Sequence, residues 1–185
     1  EFDKKSGDAL EKLYKNLKSP IMRTNLRTAE MIKYASNAFL AKKISFINEI
    51  GNIGKKIEID VYDVAKVMGL DDLIGNKFLN AGCGFGGSCF TKDVSALAKK
   101  AEELGVEPNI LRSILCVNEK QKRKIIEILK EKNNELRNKK IAILGLAFKP
   151  DTDDVRDSVA ITVIDHLLKE GAKISVYDPK AMENM

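Results

Sequence analysis

Residues 84 to 93 read GFGGSCFTKD, so Cys89 stands between a glycine-rich turn and a carboxylate four positions on. A thiolate is a strong nucleophile, and its formation is favoured by nearby positive charge and by the amides that open a helix. Lys92 supplies the charge, and a helix beginning near Asp93 would supply the amides. Gly84, Gly86 and Gly87 leave the main chain bare enough for a ligand to come close. The same spacing also suits a buried, inert cysteine beside a helix capped by Asp93. From spacing alone that plainer reading weighs slightly more. Cys83 and Cys116 have no such company. One sits in a loop without a nearby acid, the other on a helix face with Leu115 and Val117.

A second pair lies upstream, in AEMIKYASN. Lys33 and Asn37 are four residues apart, which puts them on one side of a helix. A lysine withdrawn from water has a lowered pKa and can act as a base. A solvated lysine beside an asparagine is the commoner meaning of this pattern.

These groups need elements to position them. Residues 6 to 17 form a short amphipathic helix with Ala9, Leu10, Leu13 and Leu17 on one side. A long helix follows, from about Asn25 to Ile50. Ile32, Ala35, Phe39, Lys43, Phe46 and Ile50 mark one side of it, and Ala38, Ala41, Ile44 and Ile47 occupy others. A helix apolar nearly all round is central or shared with a partner subunit. Gly51 and Gly54 should weaken its far end. Asp60 to Met68 is a short helix, and Gly69 to Ser88 is a glycine-rich loop. The next helix carries Val94, Leu97, Ala98, Ala101 and Leu104 and closes at Gly105. Another runs from Asn109 to about Leu136, after Pro108.

At Lys139 the pattern changes. KKIAILGLAF reads as a buried parallel strand, Ser158 to Glu170 as a helix, and KISVYD as a second strand. Strand, helix and strand in about 40 residues make a βαβ unit. The expected fold is therefore a mainly α central domain, residues 1–138, followed by the first βαβ of an α/β Rossmann-like domain, residues 139–185. Gly145 is followed by Leu146, Ala147, Phe148, Lys149 and Pro150, without the later glycines of a dinucleotide fingerprint. Asp178 ends the second strand, where a ribose-binding acid often sits. A Rossmann-like half without its own cofactor is the favoured reading. Lys149 can still meet a phosphate as a point charge.

Composition narrows the function classes. Of the 185 residues 44% are apolar, enough for a real core. The net charge of +5 comes from 32 basic residues interleaved with 27 acidic ones. No dense basic block or aromatic platform points to nucleic acid. Three cysteines without CxxC spacing and one histidine argue against a metal site or a disulfide framework. No run is long enough to span a membrane and no secretory pattern opens the chain, so a cytoplasmic protein with reduced thiols is expected.

Three blocks, AEMIKYASNAFLAKKISFINEI, FLNAGCGFGGSCFTKD and LGLAFKPDTDDVRDS, resemble the nucleotide-sugar 6-dehydrogenases of the UDP-glucose/GDP-mannose dehydrogenase family. The resemblance runs through nearly the whole chain in the family's order. It implies an N-terminal NAD-binding domain, a central helical dimerisation domain and a C-terminal UDP-holding domain. This chain, with its abrupt ends, would be the second and the start of the third, a homodimer inactive without the first.

The implied reaction is the two-step oxidation of UDP-glucose to UDP-glucuronate with two NAD, through a cysteine thioester. GDP-mannose oxidation and a non-catalytic dimerisation or nucleotide-binding module are the alternatives; Phe90 and FLNAG favour UDP-glucose. By the same resemblance Cys89 is the nucleophile, Lys33 and Asn37 the base and its network, and Asp93 the activator of water. Asn80, Ala81, Gly82, Cys83, Gly84, Phe85 and Gly86 would line the sugar nucleotide, with Phe148 and Lys149 from the third domain. Cys89, Phe90, Thr91, Lys92 and Arg156 would approach NAD. Thr91 stands where the family often has proline, and Leu73 where it often has an arginine that reaches substrate across the dimer.

Overall fold

Asp3 opens the first helix. Its side chain accepts from the Ser6 N–H, and α1 runs Lys4–Tyr14 in the computed structural model, which describes residues 1–185. It lies in the first of two compact units, Glu1–Ser36. Arg23 gathers this unit, donating to Glu1 (2.7 Å from Nε), to Asp8 and to Glu11 (3.3 Å). Leu10 and Leu13 of α1 stay exposed, as does Leu17 beyond its end, so the apolar side seen in the sequence covers no core within this unit.

Helix α2 spans Leu26–Lys56 and does not weaken at its glycines. Both are buried at close approaches. A Cβ on Gly51 would meet Ala81 and Val61 at 3.5 Å, and one on Gly54 would lie 3.0 Å from the Ile59 carbonyl. Packing against that bare backbone offsets the entropic cost of glycine in a helix. Ile32, Phe39, Phe46 and Ile53, each seven residues from the next, remain exposed along α2.

In the second unit, Asn37–Met185, Asp60 caps α3 (Val61–Met68) by accepting from Tyr62 N–H. Helix α4 (Phe90–Glu103) and α5 (Asn109–Asn133) pack together. Ala38 and Ala41 of α2 meet Phe85, Val94 and Ile114 in one core cluster. Ile47, Ala65 and Leu79 form a smaller one.

Strand β1 (Lys140–Leu144) pairs in parallel with β2 (Lys173–Tyr177), Lys140 opposite Lys173 and Leu144 opposite Tyr177. Helix α6 (Val159–Lys169), capped by Ser158, connects them and covers one face. Leu167 sits there with Val163, Ala172, Ile126 of α5 and Leu136. Fully burying such a leucine stabilises by about 1.5–3 kcal/mol. The alternate residues Leu144 and Tyr177 point to the other face and are exposed. The expected architecture, helices followed by a βαβ unit, is the one observed.

Candidate active site

Helix α4 starts three residues earlier than the sequence suggests. Cys89 is its N-cap and already has helical dihedrals (φ −91°, ψ −55°), and its carbonyl accepts from the Asp93 N–H at 2.9 Å. Asp93 is therefore not the cap. It lies in the first turn, 4% exposed. The Cys89 thiol is exposed, which removes the reading of an inert buried cysteine. Phe90, next in the chain, is wedged edge-on against Phe85 (5.6 Å) and Phe78 (6.1 Å).

The Asp93 carboxylate is held on both oxygens. Asn37, 6% exposed on α2, donates from Nδ2 to Oδ2 at 2.6 Å. Lys92 Nζ lies 3.0 Å from Oδ1. Bonds to an ionised acceptor of this kind are about twice as strong as neutral ones. Lys33 belongs to the first unit, where it is exposed on α2.

The glycines of the loop mark where the chain passes close to other parts of the second unit. Gly84 (φ +101°) has Asn118 Oδ1 2.8 Å from where a Cβ would be. A Cβ on Gly86 would lie 2.2 Å from the Asp157 carbonyl, and one on Gly87 (φ +82°) 2.6 Å from the Phe148 ring. The loop is thus seated on the segment after β1, which carries Phe148, Lys149 and Arg156. Lys149 Nζ stands 5.4 Å over the Phe148 ring. Phe85 is buried, while Asn80, Gly82 and Cys83 are exposed. Ala81, Gly82 and Cys83 border a cleft of about 200 Å³ with Asn48, Tyr62 and Gln121.

Arg156 forms a two-pronged pair with Asp154, Nε to Oδ1 at 3.0 Å and NH2 to Oδ2 at 2.7 Å. Those bonds lower the Asp154 pKa to about 2. They also raise that of Arg156. Thr91 Oγ1 is buried without a hydrogen-bond partner. Leu73 is 96% exposed.

Asp178 does not present a free carboxylate for a ribose. It accepts from four amides, those of Leu146 and Ala147 on one oxygen and of Lys180 and Ala181 on the other. Sequence reasoning also passed over Asn48, Asn118 and Gln121, whose carboxamides bind the glycine loop. The signal was present: Asn118 and Gln121 fall at the fourth and seventh positions after the core residue Ile114, inside an apolar stripe.

The model of the central domain of the UDP-glucose/GDP-mannose dehydrogenase family matches residues 27–120, and that of its UDP binding domain matches residues 142–185. The chain belongs to this family. A UDP-glucose 6-dehydrogenase of Rhizobium meliloti is 45% identical over 98% of the chain, which covers 43% of that relative. The solved structure of a UDP-glucose dehydrogenase from Pyrobaculum islandicum superposes with a TM-score of 0.95 at 45% identity, over 98% of this chain and 42% of that one. A GDP-mannose dehydrogenase from Pseudomonas aeruginosa matches with a TM-score of 0.55 at 36% identity, over 100% of this chain and 42% of that one. The chain thus spans less than half the length of these family members.

Proposed function

We propose that this chain is the central domain, residues 1–138, and the first βαβ of the UDP-binding domain, residues 139–185, of an NAD-dependent UDP-glucose 6-dehydrogenase. The observation that carries the reading is an exposed thiol at the start of α4, four residues before a carboxylate clasped by Asn37. The closer likeness to the UDP-glucose enzyme than to the GDP-mannose one favours the glucose nucleotide.

In this reading the sugar C6 alcohol gives its proton to Lys33, ordered by Asn37, as hydride leaves. The Cys89 thiolate then adds to the aldehyde carbon: the C–S bond forms as the carbonyl π bond breaks, and the oxygen takes a proton back from Lys33 to give a hemithioacetal. A second hydride then leaves as the hydroxyl proton passes to Lys33, and a thioester remains. Water, deprotonated with help from Asp93, attacks the thioester carbonyl; the C–S bond breaks, and thiolate and sugar carboxylate are released. Lys33 steadies the oxyanion formed on the way.

NAD, when bound, accepts the hydride in each oxidation. The residues around Cys89 fit such a group: Thr91 has a buried hydroxyl without a partner, and the exposed cations of Lys92 and Arg156 suit an anionic dinucleotide. Asn80 to Gly86, Phe148 and Lys149 hold the nucleotide sugar. The heptad-spaced apolar stripe on α2 supports a homodimer built on that helix. The enzyme works in the cytoplasm, where its free thiols stay reduced, and the isolated chain has no turnover of its own.

The test is stoichiometry in the full-length enzyme supplied with UDP-glucose and NAD. Two NADH per sugar and UDP-glucuronate are expected. One NADH with free aldehyde, or no reduction of NAD, would reject the reading.

A further inference from the structure

From Asn80 to Gly86 the main chain makes no hydrogen bond to another main-chain group. Phe85 and Gly87 are nevertheless buried, and buried amides and carbonyls need partners. Those partners are carboxamides from two helices. Asn118 of α5, 2% exposed, accepts the Phe85 N–H on Oδ1 at 2.8 Å and donates from Nδ2 to the Phe85 carbonyl at 3.1 Å. One side chain thus satisfies both polar groups of one residue, as a paired strand would. Gly82 is held the same way by two side chains. Its N–H donates to Asn48 Oδ1 at 2.7 Å and its carbonyl accepts from Gln121 Nε2 at 2.6 Å. Asn52 Nδ2 donates to Gln121 Oε1 at 2.8 Å, which sets the direction of that amide.

The clamp connects to the thiol. The Phe85 ring, anchored through its own backbone, meets Phe90 at right angles, and Phe90 follows Cys89 directly. A carboxamide suits this task because it offers a donor group and an acceptor group in a single plane without charge.

We infer that Asn118, with Gln121 and Asn48, is a positioning residue that sets the register of the loop Gly82–Gly86 against Cys89 and so aligns the sugar carbon with the sulfur. The alignment rests on the function proposed above; the clamp itself does not.

Asn118→Asp is the informative variant. Protonated, the acid keeps a donor for the Phe85 carbonyl and an acceptor for its N–H. Ionised, it turns a second oxygen on that carbonyl. Burial and the facing carbonyl both raise its pKa. Hydrogen exchange of the loop peptide, corrected for intrinsic pH dependence, should equal that of the unmodified chain below this pKa. Above it, exchange should be at least about tenfold faster, with α6 unchanged.

Gln121→Glu repeats the test at Gly82 should the first variant not fold. Loop exchange identical to the unmodified chain at every pH, in whichever variant folds, overturns the clamp. In the full-length enzyme, kcat should fall over the same pH range in which the loop loosens. Unchanged kcat with a loosened loop overturns the alignment. If Cys89→Ser still forms acid, the proposed function fails while the exchange result stands.

Discussion

The Asn37 carboxamide donates to the Asp93 carboxylate across 2.6 Å in a buried position, joining α2 to the first turn of α4. Structure and chemistry can be separated at this bond. Asp93→Ala removes the acceptor and should cost about 1.5–3 kcal/mol, the range for a hydrogen bond to a charged group. Asp93→Asn keeps the volume and a carbonyl that accepts from Asn37, so its urea midpoint should fall less. It cannot take a proton from water, so in the full-length enzyme thioester hydrolysis should slow by roughly two orders of magnitude or more. An Asn variant that hydrolyses normally would leave Asp93 a structural role alone.

Cys89→Ser in the full-length enzyme should block formation of acid. Serine fits the N-cap of α4, but without a strong base it is a poor nucleophile. Product analysis decides the matter: normal release of UDP-glucuronate would take Cys89 out of the mechanism.

Lys33→Ala should lower turnover by roughly two orders of magnitude or more, the usual loss for a general base or oxyanion contact. Binding should suffer less, since the proposed function has the nucleotide gripped by Asn80 to Gly86 and Lys149. Steady-state kinetics with a thermal melt separates the outcomes. A collapse of binding with normal kcat would make Lys33 a uniform-binding contact instead.

Acid should weaken the βαβ segment through Asp178. Its four amide donors, Leu146 first and then Lys180, Ala181 and Ala147, hold its pKa well below the ordinary 3.8. A folded pKa below the unfolded one means a contribution complete above the unfolded value and lost as pH falls beneath it. Asp154, held down at about 2 chiefly by Arg156, acts with the same sign. The thermal midpoint should therefore drop as pH falls from roughly 4 towards 2. Asp178→Asn should lower the midpoint at neutral pH, because its NH₂ faces two amide donors, and should flatten the acid limb. Equal acid limbs in both proteins would count against this assignment.

How far the sequence could be read depended on what held each part. The βαβ segment was legible because a short continuous apolar run, Ile141 to Leu144, replaces helical spacing after Lys139, and helical spacing returns at Ser158. Cys89 and Asp93 stood out as chemistry, but the start of α4 did not. A cysteine is an unusual N-cap, and Asp93 looked like the better one. The far end of α2 was misjudged because propensity counts the cost of Gly51 and Gly54, whereas the gain lies in Ala81, Val61 and Ile59, residues distant in sequence. Asp178 matched a ligand-binding pattern, yet its partners are main-chain amides that no motif records.

The strand pair has a colloidal consequence. With β1 and β2 alone there is no interior strand, and each keeps an outer edge of unpaired donors and acceptors. On the face away from α6, Leu144 and Tyr177 lie side by side in register, both bare. On the same face, at the opposite end, Lys140 and Lys173 lie side by side, a like-charged pair that repels a second copy approaching that face. The repulsion weakens once salt shortens the reach of charge to about 8–10 Å. Concentrated, salty solutions should therefore make the chain self-associate through this sheet while its helices remain intact, so that light scattering rises before any helical signal is lost.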